Sequence, residues 1–263
     1  MIRVGTAGWA LPADPSRFPA GGTHLERYAA VFDTVEINSS FYRPHRRASY
    51  ARWGACVPAR FRFTVKLPKA MTHELRLAGC ARPLDEFLEP VHALGEKLGC
   101  LLVQLPPKLE LDAAVAGCFF GELRARHEGA VAIEPRNATW FGPRADAILA
   151  AHGIARVAAD PPRHAEDGKP GGSRGMSYHR LHGSPRMYFS QYSAPFLDRL
   201  AESLAGEAAE GGDVYCIFDN TGARAAVPDA MHVVEKLAKP RAGHTRPRRQ
   251  GATAVKRKPR EER

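Results

Sequence analysis

The amino-acid sequence predicts an α/β protein of the (β/α)8 TIM-type barrel class, on three observations. Its 263 residues match the ~250 that one such barrel takes. Eight short strand-like segments alternate, mostly with helical ones, the order that parallel crossovers impose. The strands also end in polar residues, as they do where the carboxyl ends of barrel strands gather reactive groups around one mouth. An open doubly wound sheet fits the alternation too. However, no GxGxxG or GxxxxGK[ST] follows any strand, so dinucleotide and P-loop functions gain no support.

Residues 2–7 read as the first strand, and a Pro- and Gly-containing loop follows. Thr23 is placed to cap a helix over 24–32, with Leu25, Tyr28, Ala29 and Phe32 on one face. Residues 34–38 are the second strand: Val35 and Ile37 alternate with Glu36 and Asn38, the period of two that separates a strand's faces. A helix over 46–56 ends before Pro58. Residues 60–66 alternate Phe61, Phe63 and Val65 with Arg62, Thr64 and Lys66, giving the third strand, and a loop with Thr72 and His73 follows. Pro83 opens a helix that runs to Leu98 and stops at Gly99. Strand four is 100–104, halted by Pro106 and Pro107, and a helix fills 112–126. Strand five is 130–134, ended by Pro135, with a helix over 144–152 and Gly153 beyond it. Strand six, 154–159, runs into Asp160. No helix is evident in the Gly-rich, charged residues 163–175, so the connection to strand seven, 177–182, is irregular. A helix over 195–209, strand eight over 213–218 and a helix over 223–239 complete the count.

Composition narrows the class further. No apolar run approaches the ~20 residues of a membrane span. Residues 1–9 read as a strand and not as a secretory leader. Five scattered cysteines without a CxxC pair fit reduced thiols in a cytoplasmic protein, not a zinc site or a disulfide framework. The net charge of +10 is concentrated in the last 25 residues, which hold ten Lys or Arg and two Glu, leaving a body near neutrality. The division expected is one barrel domain over 1–238 and a basic, disordered tail over 239–263, able to touch nucleic acid non-specifically through phosphate charge.

At the strand ends stand Glu36 and Asn38, Lys66 with His73, Gln104, Glu134 with Arg136, Asp160, Arg180 with His182, and Asp219 with Asn220. In a closed barrel these converge on one rim. The motifs that hold them are VEINSSFYR (35–43), FRFTVK (61–66) with Thr72-His73, QLPP (104–107), IEPRNATW (133–140), YHRLHG (178–183) and YCIFDN (215–220). Together with VGTAGW (4–9) they resemble the family called domain of unknown function 72, the YecE-like proteins, over residues 2 to about 238. The resemblance implies a TIM barrel and an intracellular protein, and it implies no particular reaction. After Trp9 the family has an aromatic or Ser-Tyr-Pro-like segment, which is replaced here by Ala10-Leu11-Pro12-Ala13-Asp14, so no role is assigned to that loop.

The rim chemistry expected is acid–base catalysis on a small anionic substrate, of hydrolase, lyase or isomerase type, with no cofactor and no metal. Glu36 and Glu134 are the carboxylate candidates and His182 the proton carrier. Lys66, Arg136 and Arg180 are the anion binders, because Arg presents a planar donor fork. A lysine of lowered pKa at Lys66 is also able to form a Schiff base. Asn38, His73, Gln104, Asp160, Asp219 and Asn220 are expected to orient substrate, and Trp140 to wall the site. Against this stand three alternatives. In the first, Glu134 and Arg136, two residues apart, form a buried ion pair that only orders the rim. The second is a nucleic-acid-associated or metal-dependent phosphodiester-cleaving barrel, whose metal would use Glu36, Glu134, Asp160, His73 and His182, though Lys66, Arg136 and Arg180 would repel a cation. A non-catalytic ligand-binding module is the third.

Overall fold

The computed structural model describes residues 1–164 and 166–239. Ten strands form one sheet, and nine of them run parallel or end to end in a barrel: β1 (Ile2–Ala7), β2 (Thr34–Ile37), β3 (Arg62–Lys66), β4 (Leu98–Gln104), β5 (Val131–Glu134), β6 (Ile154–Arg156), β7 (Ala158–Asp160), β8 (Gly171–Gly172), β9 (Met176–Leu181) and β10 (Asp213–Phe218). The spatial order is β7-β9-β10-β1-β2-β3-β4-β5-β6-β8. The expected sixth strand is therefore two. β6 pairs with β5 and β7 with β9, with Val157 alone between them. One stretch of chain thus supplies both margins of the sheet and brings the barrel almost to closure. Among the described residues of the expected irregular connection there is no helix. Its Gly171–Gly172 instead pairs antiparallel with β6, where an added Cβ on either glycine would strike Arg156 or Ile154.

The helices outside the barrel are α1 (His24–Ala29), α2 (Arg47–Ala55), α3 (Ala81–Val91), α4 (Ala113–Arg124), α5 (Pro143–Ala151), α6 (Ala194–Ala209) and α7 (Ala226–Ala238). Thr23 caps α1 in a reciprocal box with Glu26, satisfying two backbone donors that a helix start leaves unpaired. Asp112 caps α4 through Ala114 and Val115. The expected helix from Pro83 to Leu98 ends earlier, at Val91, and continues as a 3-10 segment over His92–Lys97. Gly95 there takes a conformation outside the helical range, so the chain turns before β4. Among the described residues no helix is long and apolar enough to cross a membrane. Of the basic tail expected to be disordered over 239–263, residues 240–263 lie outside the described residues.

Two apolar layers hold the barrel. The larger packs outward-facing strand residues, such as Val35, Ile37, Phe63, Val65, Leu101, Val103, Ile133 and Phe218, against the helices. The smaller fills the lumen with Cys100, Leu102, Ala132, Val157, Tyr178, Tyr215 and Ile217. Tyr178 and Tyr215 stack there at 5.7 Å. At Gly99 an added Cβ would lie 2.7 Å from the Tyr215 hydroxyl, so only glycine lets this ring enter the lumen. Every strand alternates between the two layers, and that alternation decides which polar residue at each strand end faces the mouth.

Candidate active site at the barrel mouth

Counting upward from the lumen layer, Thr64 is followed by Lys66, Leu102 by Gln104, Ala132 by Glu134, Tyr178 by Arg180 and His182, and Ile217 by Asp219. Each pair is two residues apart and faces the same way. Glu36 and Asn38 reach the same level from β2. The carboxyl ends of six strands thus place their polar residues above one apolar plug.

Arg180 stands at the centre and is fully buried. Its Nε donates to Glu36 Oε2 at 3.0 Å and its Nη2 to Glu36 Oε1 at 2.7 Å, a bidentate fork. Nη2 also donates to Asp219 Oδ2 at 2.9 Å, and Nη1 to Glu134 Oε2. Four of its five N–H groups are thereby engaged by three carboxylates. From below, the Tyr178 hydroxyl meets Glu36 Oε2 at 2.8 Å and Thr64 Oγ1 at 2.9 Å. Burial alone would raise the pKa of Arg180's carboxylate partner Glu134, but Arg180, His182 and Arg136 outweigh it and hold that carboxyl well below its ordinary value.

His182 bridges two of these acids. Its Nε2 lies 3.0 Å from Glu134 Oε1 and its Nδ1 3.1 Å from Asp219 Oδ2. Burial disfavours the imidazolium, yet Glu134 and Asp219 prevail and raise its pKa. Asp219 is held low in turn: burial pushes its pKa up, but Arg180 and His182 pull it down further. Asn38 Nδ2 approaches Asp219 Oδ1 at 3.5 Å. Arg136 Nη2 forms an ion pair with Glu134 Oε1 at 2.6 Å, and among the described residues its buried Nε has no hydrogen-bond partner.

Lys66 is different again. It is 9% exposed, and among the described residues its Nζ makes no ion pair; it lies 4.2 Å above the Phe41 ring. Burial and the nearby Arg180 bring its pKa down to about 8, against the pull of Glu36, Glu134 and Asp219. His73 packs edge-on against the same Phe41 ring, at 5.1 Å. Burial and Lys66 lower the His73 pKa.

The structure therefore gathers Glu36, Asn38, Lys66, Gln104, Glu134, Arg136, Arg180, His182 and Asp219 at one end of the barrel, with His73 on the rim. Three expected residues stand elsewhere. Asp160 pairs in register with the outward-facing Leu181, while Ala159 pairs with Arg180, so Asp160 ends its strand on the helix side; its parity with Ile154 carried that information. Asn220 also faces outward and binds Ser190 O and Asp229 Oδ2, tying the loop after β9 to α7. Trp140 is a core residue, with its ring against Phe120 and its Nε1 on Leu109 O at 3.0 Å. Arg180, expected to bind substrate, has its donors occupied by carboxylates.

Sequence reasoning also missed residues. Tyr178 shares parity with Arg180 and His182, which was a usable signal. Tyr188, whose ring sits edge-on to His182 at 5.7 Å, gave none, because it is brought over the mouth by the loop that starts at Gly183. Gly183 has a φ of +90° and an added Cβ would lie 2.7 Å from Ser190 O. Asp167 is likewise buried from the irregular connection, with Oδ1 unpartnered. Its pKa is raised, chiefly by burial, while Arg136 pulls it back. Among the described residues no group of three or more His, Cys, Asp or Glu is arranged to hold a metal ion. The guanidinium of Arg180 occupies the point where the acids converge. A cavity of about 540 Å³ lies beside the mouth, between the turn at Tyr42, the turn at Met71 and Phe87 of α3.

The profile of the family described as protein of unknown function DUF72 matches residues 3–252. The chain belongs to that family. UPF0759 protein YunF of Bacillus subtilis is 25% identical over an alignment 276 positions long, which covers 90% of this chain and 95% of that protein. UPF0759 protein YecE of Escherichia coli K12 is 32% identical over 106 residues, an alignment spanning only 38% of the relative's length. Among solved structures, a DUF72 protein of Thermotoga maritima superposes with a TM-score of 0.75 at 23% identity, over 91% of this chain and 100% of that one. One from Enterococcus faecalis V583 gives 0.75 at 21% identity, over 90% and 95%. At these identities the DUF72 structures speak for the barrel fold alone.

Proposed function

We propose that the barrel mouth is an active site for acid–base chemistry on a small anionic substrate. The observation that carries this is an imbalance among the cations. Arg180 is enclosed by three carboxylates, whereas Arg136 keeps a buried Nε without a partner and Lys66 keeps its Nζ without a carboxylate. An orphaned guanidinium N–H in a site this dry is costly. A phosphate or carboxylate group on the substrate would satisfy it and add a charge-assisted bond.

The roles then divide. Arg136 and Lys66 hold the anion. His182, suspended between Glu134 and Asp219, carries the proton, because a positioned imidazole moves charge near neutral pH. Glu36 and Arg180 are positioning residues: they fix Glu134 and Asp219, which fix His182. Glu36 and Glu134, bonded to Arg180, serve as orienting carboxylates and not as proton donors.

Calorimetric titration with inorganic phosphate, sulfate and short carboxylic acids tests this. The wild-type protein is expected to bind at least one of them. Arg136→Gln should weaken that binding by about tenfold or more, the loss of one charge-assisted bond, in protein whose circular dichroism shows that it is folded at the titration temperature. Equal binding by Arg136→Gln, or no binding by the wild type, overturns the assignment.

A further inference from the structure

We propose that Lys66 is a nucleophile that forms an imine with the carbonyl group of a small anionic aldehyde or ketone. The proposal deepens the reading of the mouth as an anion site and rests on it.

A buried lysine kept for structure alone finds a carboxylate. Three carboxylates stand in this mouth, and all of them turn to Arg180, two of them also to His182. Lys66 is left with an aromatic face instead. Its position is nonetheless built. Ser40 donates to Lys66 O at 2.7 Å and lies within hydrogen-bond distance of Ile37 O at 2.9 Å. The same short 3-10 turn, Ser39–Phe41, carries the Phe41 ring. The strand end and the ring under the amine are thus fastened together, which is the rigid placement a nucleophile needs.

The electrostatics suit both stages of the reaction. Burial and Arg180 disfavour the ammonium form, giving the pKa of about 8, so free amine is present near neutral pH. Glu36, Glu134 and Asp219 nevertheless favour positive charge at Nζ, and would stabilise the iminium once it forms. In the condensation, the Nζ lone pair forms a C–N bond to the carbonyl carbon. The carbonyl oxygen then leaves as water, taking both amine hydrogens. The neutral imine and one water balance amine plus carbonyl, and no oxidant or cofactor takes part. A proton picked up by the imine nitrogen makes the adjacent carbon electron-poor and so acidifies the neighbouring C–H bonds.

The experiment treats the full chain with pyruvate, glyoxylate or dihydroxyacetone phosphate in the presence of cyanoborohydride, which reduces the iminium to a stable secondary amine. Peptide mass mapping then locates the added mass. Lys66 is expected to be labelled at least tenfold faster than Lys69, Lys97 or Lys108 with at least one probe. Its rate should rise with pH through about 8. Lys66→Arg should lose the label; mapping on the wild type alone decides the matter if that variant fails to fold. Uniform labelling of lysines overturns the proposal. So does an unlabelled Lys66 in protein that binds anions through Arg136, and that result leaves the anion site standing. Absence of both labelling and Arg136-dependent binding overturns the two together.

Discussion

The two ends of the barrel lumen each hold an arginine paired with acid, and they are built differently. At the foot, Arg3 on β1 meets Asp213 on β10 at 3.2 Å, and its guanidinium lies over the Tyr215 ring. Asp213 is half exposed and also takes the N-terminal amine at 3.2 Å. At the mouth, Arg180 meets Glu36, Glu134 and Asp219 with its side chain sealed from water. Arg3 is itself buried, but water reaches Asp213, screens the first pairing and keeps it weak. The second has given up its hydration, so each partner depends on the others. The foot closes a sheet, whereas the mouth holds a network in which removing one member strands the rest.

The largest effect should appear on deleting Arg180 itself. Arg180→Met leaves three buried carboxylates facing one another, and about 3–5 kcal/mol of stability should be lost, read as a lowered urea midpoint. An unchanged midpoint would show that the cluster does not hold the barrel. Next is the pH dependence. The pKa values of Glu134 and Asp219 are depressed in the folded state, so their contribution is present above the ordinary carboxylate range and is lost as pH falls through the depressed values. That of His182 is raised, so its contribution is complete below about 6.5 and is lost as pH rises through the raised value. The melting temperature should therefore fall on both sides. His182→Asn should remove the decline on the alkaline side; a variant that keeps it would assign that decline to another group. The smallest effect belongs to the foot. Asp213→Asn should cost about 0–1 kcal/mol and vanish in high salt. A larger cost would mean that the foot shares the mouth's design.

The residues at the mouth differ in how far local pattern could place them. Glu36 with Asn38, and Arg180 with His182, were legible because strand parity keeps them together whatever lies around them. Asp160 is polar and ends a strand, which points to the rim, but its parity with Ile154 turns it outward. Asn220 faces outward for the same reason, one residue past the inward-facing Asp219. Trp140 was named for a ring it does use, but against Phe120. A large apolar side chain after a strand says nothing about which layer receives it.

What the sequence determined by itself is what short-range sterics determine: strands of period two, helices between them, capping at Thr23, and hence a barrel whose polar strand ends share a mouth. The tertiary structure alone decided the pairing within that mouth. Arg180 and Arg136 are the same residue type at the ends of neighbouring motifs, and nothing in their local sequence separates them. One became enclosed and the other kept an orphaned Nε because Glu36, Glu134 and Asp219 arrive from strands far apart in the chain. Their distances to each guanidinium exist only once β6 and β7 have divided around Val157 and the barrel has drawn together. Electrostatic partnership in a dry interior depends on ångströms set by long-range closure, and no local pattern encodes those.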